Sequence, residues 1–353
     1  MQNKIISADS HFNEPADFYT SRISKKFKGL APKVVNISNK SYWKFQNILR
    51  PIGLDNLAGV KNNKLKRYCR YSDFEHFDLE KRKQIVKKDN ILHEVMLPSG
   101  GLLYTSKNEE LTTELFNLYN NFCVQSSDNF YSFIPMLPSE NNLAKIILKK
   151  ILKTNKTQAV LMPIYPGGGF YSNKKYDKLF KMLNYHKYTV IMHAGGVRCL
   201  PKEKLNYSQT GFKNSIMIYQ GMETFSDLFF SGMLSKYKNI KFVFSEIGVS
   251  WLSGFFERVS YCYGRYKSID GYKFENLEVG LKNIYFSFQQ DFPQISNKNV
   301  SFKNYLFGSD FPHAESVFPN SKRKYLDVKK IYGRKIVENF FYNNAKKLYN
   351  IDI

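Results

Sequence analysis

Eight short apolar runs recur along the 353 residues of this chain, at 4–8 (KIISA), 92–97 (LHEVML), 130–136 (FYSFIPM), 158–162 (QAVLM), 188–192 (YTVIM), 240–244 (IKFVF), 284–288 (IYFSF) and 304–307 (NYLF). Runs of about four to seven residues rich in β-branched and aromatic side chains are typical of buried strands. Helical patterns lie between them, at Glu140–Lys153, Met222–Tyr237 and Leu326–Tyr349. This alternation predicts an α/β protein with a parallel sheet, and eight strands predict a closed (β/α)₈ TIM barrel. An open doubly wound sheet is the alternative.

Residues 12 to about 85 fit neither the strand nor the helix pattern. They are rich in Lys, Asn, Tyr and Arg, and a helix is expected near Asp78–Lys88. We interpret residues 15–85 as a long insertion after strand one. The whole chain, 1–353, is then predicted to be a single domain, because α/β barrels often reach this length as one unit.

The chain carries 53 Lys and Arg against 30 Asp and Glu, which gives a formal net charge of +23. Nucleic-acid binding would need these cations to be clustered against phosphates. Only 10 of them are Arg, and the Lys residues are scattered along the chain. We therefore expect a solvated basic surface, a small-molecule substrate and no nucleic-acid partner. The basic charge also favours an anionic substrate.

Cellular location and cysteine chemistry can also be predicted from the sequence. No apolar run reaches the roughly 18–20 residues that a membrane-spanning helix needs. The apolar stretch near the N-terminus is too short for a signal-peptide core. The four cysteines form no CxxC pair, which argues against a thiolate zinc site or a thioredoxin-like motif. We expect a cytoplasmic homodimer with reduced thiols and no membrane partner.

Polar side chains follow four of the predicted strands at the point where each strand ends. Asp9 and His11 end the first, His193 the fifth, Glu246 the sixth and Asp310 the eighth. The carboxyl ends of barrel strands meet at one mouth, and side chains two apart on a strand point the same way. Imidazoles and carboxylates that converge there form the ligand set of a divalent metal ion. The sequence therefore predicts a metal site.

Five segments resemble the amidohydrolase superfamily: DSHFNEP, MHAGG, FVFSEIGVSWL, YFSFQQD and LFGSDFPHAES. The resemblance is to the amidohydrolase-related branch that includes aminocarboxymuconate semialdehyde decarboxylase-like enzymes. It covers nearly the whole chain, and the insertion matches only loosely. The resemblance implies a TIM-barrel enzyme that uses a divalent metal.

The family's metal ligands can be carried over one residue at a time. Its first strand normally offers His-x-His, and here Asp9 stands in place of the first His while His11 keeps the second. The family's strand-five His matches His193 and its strand-eight Asp matches Asp310, whereas Glu246 replaces its strand-six His.

The number and identity of the metal ions follow from the same resemblance. Two-metal relatives use a carboxylated Lys on strand four, but here that strand ends Leu161-Met162-Pro163. The resemblance thus implies one ion. Zn²⁺ is the first expectation, and the carboxylate-rich ligand set makes Mn²⁺ or Fe²⁺ the alternatives.

Catalytic roles can be assigned to the same residues as expectations. Asp310 is expected to take a proton from a metal-activated water and to return it to the leaving group. Glu246 is either a metal ligand or a second acid/base. His313 either orients Asp310, contacts the substrate or is a loop histidine bonded to backbone. Arg198 either holds a substrate carboxylate or is a surface charge.

The leading hypothesis is a mononuclear metal-dependent hydrolase that acts on an amide, ester or related bond of a small molecule. The alternative is a non-oxidative decarboxylase that uses the same ligands, with Asp310 or Glu246 protonating carbon. A third hypothesis, from a different class, is a basic nucleic-acid or anion-binding protein on a degenerate barrel.

Overall fold

A computed structural model describes residues 3–100, 105–154, 156–166, 169–194, 208–269, 277–295 and 303–353. This part of the chain contains eleven strands, which are β1 Ile5–Phe12, β2 Lys33–Ile37, β3 Lys40–Phe45, β4 Ile48–Pro51, β5 Ile91–Pro98, β6 Tyr131–Phe133, β7 Ala159–Pro163, β8 Thr189–His193, β9 Lys241–Ser245, β10 Ile284–Phe288 and β11 Tyr305–Phe307.

The α-helices of the same residues are α1 Leu79–Lys87, α2 Glu109–Ser126, α3 Asn141–Thr154, α4 Asp177–Tyr185, α5 Gln209–Ser215, α6 Ile218–Phe230, α7 Met233–Lys236, α8 Leu252–Tyr266, α9 Leu277–Gly280, α10 Ser321–Tyr332, α11 Arg334–Glu338 and α12 Asn344–Tyr349. A π-helical turn, Asn339–Asn343, joins the last two. No helix in the described ranges combines the length and apolar character that a membrane span requires.

The chain forms two compact units, the first made of residues 1–138, 146–157 and 306–353 and the second of 139–145 and 158–305. The first unit contains a parallel sheet in the order β1-β5-β6. In this sheet Ile5 lies opposite Ile91 and Phe12 opposite Pro98. All eight residues of β1 are buried, so its polar residues as well as its apolar ones lie inside the unit.

The second unit contains the parallel strands β7, β8, β9 and β10, each paired with the next. Val190 lies opposite Val160 on one side and Phe242 on the other. The chain passes from this unit back into the first within β11. A strand is present at each of the eight apolar runs, so the predicted strand positions are confirmed.

The insertion has a structure that the sequence analysis did not predict. β2, β3 and β4 form a separate antiparallel sheet. Ser38 and Asn39 join β2 to β3 with φ of 47° and 63°, the left-handed conformation that favours two-residue hairpin turns. The predicted helix near Asp78–Lys88 is present as α1, where the Asp78 carboxylate accepts the backbone N–H of Lys81.

Two of the predicted helical segments are each divided into separate helices. The segment Met222–Tyr237 corresponds to α6 and α7, because Gly232, with φ of 75°, separates them. The helix predicted over Leu326–Tyr349 is interrupted in the same way by Gly333, with φ of 79°. Glycine adopts this left-handed conformation without steric penalty and so ends a helix where an apolar pattern continues.

A buried ion pair holds together the segments of the first unit that carry the site. Arg82, on α1, donates to both carboxylate oxygens of Glu94, on β5, at 2.9 and 2.8 Å. It also donates to the backbone carbonyls of His11, at 2.7 Å, and Phe311, at 3.1 Å. The guanidinium lies over the Phe311 ring, 4.8 Å from its centroid. One side chain thus joins α1, β1, β5 and the segment after β11.

Helix α3 shows how the amphipathic pattern is used in packing. Its apolar residues Leu143, Ile147, Leu148 and Ile151 are buried, as the predicted face requires. Ile147 is 0% exposed, whereas its neighbour Ile146 is 50% exposed. The two side chains are chemically identical and differ only in their surroundings.

We expect Ile147→Ala to lower the free energy of unfolding by about 2–5 kcal/mol, because it leaves a cavity in the core. Ile146→Ala is the matched control and should change it by less than about 0.5 kcal/mol. Urea denaturation of both variants measures the difference. Equal losses would mean that the two side chains share the same environment.

We expect Arg82→Met to lower the free energy of unfolding by about 3–5 kcal/mol, because it leaves the Glu94 carboxylate buried without its cation. The double variant Arg82→Met/Glu94→Leu should recover part of that loss. Arg334→Met, which breaks an exposed ion pair with Glu338, is the control and should have little effect. Denaturant titration of the three variants checks this order, and a double variant less stable than Arg82→Met would contradict it.

Candidate metal centre

A cluster of two imidazoles and one carboxylate lies in the first unit. His11 Nε2 is 3.2 Å from Asp310 Oδ1, and His313 Nδ1 is 3.0 Å from the same oxygen. The two imidazole rings stack with centroids 3.9 Å apart. One donor atom from each residue lies within 4.8 Å of the others. His11 and Asp310 are buried, and His313 is partly buried.

Backbone hydrogen bonds bring β1 and the segment after β11 together. The N–H of Asp310 donates to the carbonyl of Asp9 at 2.8 Å, and the N–H of His11 donates to the carbonyl of Phe311 at 2.7 Å. Gly308 lies against Asp9 so closely that an added Cβ would be 2.6 Å from the Asp9 Cβ. Only a residue without a side chain permits this approach.

Three buried serine hydroxyls support the same segments. Ser7 Oγ lies 2.8 Å from Ser10 Oγ and 2.9 Å from Ser309 Oγ, and the last two are 3.1 Å apart. Ser7 Oγ also accepts the backbone N–H of Ser309 at 2.8 Å. These hydrogen bonds link the strand that carries Asp9 and His11 to the segment that carries Asp310, so they restrict movement between the candidate ligands.

The surroundings of Asp310 keep its carboxylate ionised. Burial alone would raise its pKa, but the adjacent His313 and His11 imidazoles outweigh this effect, and the pKa is lowered below its usual range. Glu14 differs, because burial raises its pKa to about 7, although the Tyr19 hydroxyl donates to it at 3.2 Å. Asp310 is therefore the carboxylate suited to bind a cation.

A second group of predicted residues lies in the second unit. His193 Nδ1 is 2.6 Å from the carbonyl of Ala194, so Nδ1 carries the proton and donates it. His193 Nε2 is 3.4 Å from Glu246 Oε2. Glu246 has φ of 60°, and its N–H donates to Ser287 Oγ at 3.3 Å. His193 and Glu246 thus form a close pair at the carboxyl ends of β8 and β9.

The structure brings the predicted residues together within each unit. Asp9 Oδ1 lies 3.6 Å from His11 Nε2, and the Asp9 backbone carbonyl accepts the N–H of Asp310. Of the roles predicted for His313, its contact with Asp310 corresponds to the one in which it orients the Asp310 carboxylate. Arg198 lies outside the described residues.

The sequence patterns did not identify Arg82, which donates hydrogen bonds to the backbone carbonyls of His11 and Phe311. Its helix, α1, otherwise carries only lysines as cations in the sequence LEKRKQIVK. A single Arg among lysines was the available signal, because a guanidinium can make several directed hydrogen bonds where an ammonium acts as a point charge.

The donor set of the first unit fits a divalent metal ion. Imidazole nitrogen suits Zn²⁺ and Fe²⁺, and carboxylate oxygen suits Mn²⁺ and Zn²⁺. His11 and Asp310 offer one donor of each kind within 3.2 Å, and Asp310 is ionised, as a ligand must be. A bound ion would activate a coordinated water and polarise a carbonyl group.

A family profile described as Amidohydrolase matches residues 93–351. A comparison with curated protein sequences finds no significant match.

Three solved structures illustrate the likeness in fold. An amidohydrolase from Mycobacterium avium subsp. paratuberculosis K-10 has a TM-score of 0.75 at 15% identity, covering 99% of each chain. A 5-carboxyvanillate decarboxylase from Sphingomonas paucimobilis has a TM-score of 0.67 at 9% identity, covering 99% of this chain and 100% of its own. A 5-carboxyvanillate decarboxylase from Novosphingobium aromaticivorans DSM 12444, a mutant with bound manganese, has a TM-score of 0.60 at 14% identity. The match covers 77% of this chain and 81% of that one.

The matched profile spans most of the chain, and the solved structures agree with the parallel strands of both units. The predicted TIM-barrel fold class and the predicted superfamily are therefore confirmed. Enzymes of this family act on small molecules with the help of a divalent metal ion. The chain belongs to the amidohydrolase family and is an enzyme of the amidohydrolase superfamily, which contains both hydrolases and decarboxylases.

Proposed function

We propose that this chain is a mononuclear metal-dependent hydrolase that cleaves an amide, ester or related bond of a small anionic molecule. The observation that carries the proposal is the buried, ionised carboxylate of Asp310, held between His11 and His313. A general base must be unprotonated at the working pH, and Asp310 meets this condition.

We assign the metal ion to His11, Asp310 and Asp9, because His11 Nε2 lies 3.2 Å from Asp310 Oδ1 and 3.6 Å from Asp9 Oδ1. His193 and Glu246 complete the ligand set on the sequence-based argument, which stays a prediction. Zn²⁺ is the first candidate, because a set of imidazoles and carboxylates is the usual ligand chemistry of catalytic zinc. Mn²⁺ is the second, since one similar structure contains it, and Fe²⁺ is the third.

Each side chain then has a separate role in the reaction. Asp310 accepts the proton of the attacking water and delivers it to the leaving group. His313, whose Nδ1 faces Asp310, holds that carboxylate in position. Glu246 acts as a ligand or as a second acid/base beside His193. Arg198 stays the predicted partner of a substrate carboxylate.

The second candidate is non-oxidative decarboxylation, in which a C–C bond to a carboxylate breaks and a proton replaces CO₂ on carbon. Two of the three similar structures described above are named as decarboxylases. This reaction needs a protonated acid near the substrate carbon, and Asp310 is ionised. Glu246 is then the predicted proton donor for decarboxylation.

Several broader expectations stay predictions. They are the homodimeric state, the cytoplasmic location, the absence of a nucleic-acid partner and the organisation of residues 1–353 as one domain with an insertion at 15–85. Nucleic-acid binding, the hypothesis from another class, would show a steep salt dependence.

We expect the purified protein to contain about one equivalent of a divalent metal, and His11→Ala and Asp310→Asn to lower that content at least about tenfold. Asp9→Ala and His193→Ala test the remaining predicted ligands. Elemental mass spectrometry on protein made without added ions provides the measurement. His186→Ala is the control, because His186 is exposed. Undiminished metal content in all four ligand variants would reject the assigned site.

We expect turnover to incorporate ¹⁸O from labelled water into one of two products when small anionic amides and esters are screened. Asp310→Asn should lower kcat about 10²–10⁴-fold, since it removes the general base. Release of CO₂ with deuterium uptake on carbon in D₂O would instead establish the decarboxylase. His186→Ala serves again as the control and should turn over normally.

A further inference from the structure

A cavity of about 750 Å³ lies in the first unit, where the insertion meets the segment after β11. Its wall combines apolar groups, aromatic rings, an imidazole and two ammonium groups. None of the residues assigned above to the metal ion lines it. The lining of the cavity is therefore separate from the assigned metal ligands.

Two buried polar side chains line this wall, His76, which is 8% exposed, and Asn56, which is 6% exposed. His76 Nε2 lies 2.6 Å from Asn56 Oδ1. The orientation of the Asn56 amide is fixed, because its Nδ2 donates to the Ile52 carbonyl at 2.6 Å while its Oδ1 accepts from Asn13. His76 Nε2 must therefore carry the proton and donate it, which leaves Nδ1 with a lone pair.

The His76 lone pair is not used within the part of the chain that the structure describes, where no hydrogen bond is formed at Nδ1. Burial and the nearby Arg82 and His313 lower the pKa of His76 to about 3, so the ring is neutral. A neutral imidazole on a cavity wall can accept an O–H or N–H donor from a ligand.

Aromatic rings surround this acceptor. The His76 ring lies 5.6 Å from the Phe74 ring and 5.5 Å from the Phe311 ring, the latter edge to face. Phe311 in turn packs edge to face on Phe318 at 5.0 Å. All three phenyl rings line the cavity. Such walls favour a planar ring, which can stack or pack edge to face.

The two carboxylates that line the cavity, Asp73 and Glu75, are each paired with a cation that does not line it. Asp73 accepts the side chain of Arg70 at 3.1 Å, and Glu75 lies 3.7 Å from Lys81. They therefore offer a ligand little uncompensated negative charge.

Lys64 and Lys66 also line the cavity and are exposed. Neither ammonium forms an ion pair with any residue that the structure describes. These two ammonium groups favour an anionic group at the cavity rim.

We propose that this cavity is a binding site for a small aromatic anion whose ring carries an O–H or N–H donor. The donor group bonds to His76 Nδ1, the ring packs against the phenyl side chains, and the anionic group faces Lys64 and Lys66. This site is separate from the proposed reaction and does not depend on its identity.

The test uses three probe molecules of similar size on the full chain with its metal. 4-Hydroxyphenylacetate has the ring, the donor and the anion; phenylacetate lacks the donor, and tyramine replaces the anion by a cation. Calorimetric titration should show 4-hydroxyphenylacetate binding about tenfold more tightly than phenylacetate, and tyramine not binding. Equal affinity of the two acids, or no binding of either, would overturn the proposal.

Matched variants locate the bound probe. Lys64→Glu/Lys66→Glu should weaken binding of 4-hydroxyphenylacetate at least about tenfold. Lys25→Glu/Lys28→Glu, which changes the net charge equally at exposed positions outside the cavity, should leave it unchanged. Equal weakening in both double variants would mean general charge attraction and would reject the site.

His11→Ala separates this site from the metal centre and should keep full affinity for the probe. Loss of binding in His11→Ala, with retention in Lys64→Glu/Lys66→Glu, would place the probe at the metal and overturn the proposal. His76→Phe should abolish the preference for 4-hydroxyphenylacetate over phenylacetate. The comparison of the two acids in the wild-type protein tests the same hydrogen bond without any substitution, so the result does not depend on the folding of His76→Phe.

Discussion

The ion pair between Arg82 and Glu94 determines where the backbone that carries His11 and Asp310 can lie in the first unit. Arg82 donates to the carbonyls of both His11 and Phe311, and Glu94 supplies the opposing charge. A buried guanidinium is costly unless every donor is used, so its partners are held to a narrow range of positions. The spacing of His11 and Asp310 follows from this constraint, because each lies on, or next to, a residue whose carbonyl Arg82 binds.

The chemistry of the centre depends on that spacing. Two imidazoles close to Asp310 keep its carboxylate ionised in a buried place where an isolated acid would be neutral. Glu14 shows the contrast, since burial without such neighbours raises its pKa to about 7. The position of a carboxylate relative to imidazoles, rather than burial itself, thus decides which acid of this unit is ionised.

Much of the fold and part of the centre could be predicted from the sequence, because both depend on local patterns. Apolar runs mark the strands, and the polar residues that end them, such as Asp9, His11 and Asp310, lie together in the first unit. The side chain that donates hydrogen bonds to the backbone of His11 and Phe311, Arg82, could not be predicted in the same way. Arg82 reaches His11 across 71 positions of sequence, and only the folded chain brings such distant groups together. The antiparallel sheet of the insertion was missed because its short strands lack a strong apolar run.

Gly308 has a consequence for any attempt to vary this protein. It contributes no donor, charge or apolar surface to the centre, yet even one methyl group there would collide with Asp9. A mutational scan should therefore find a position where the smallest change, to alanine, is as harmful as the loss of a ligand. Redesign of this enzyme for another substrate has to keep glycine at this position, whatever chemistry is chosen around it.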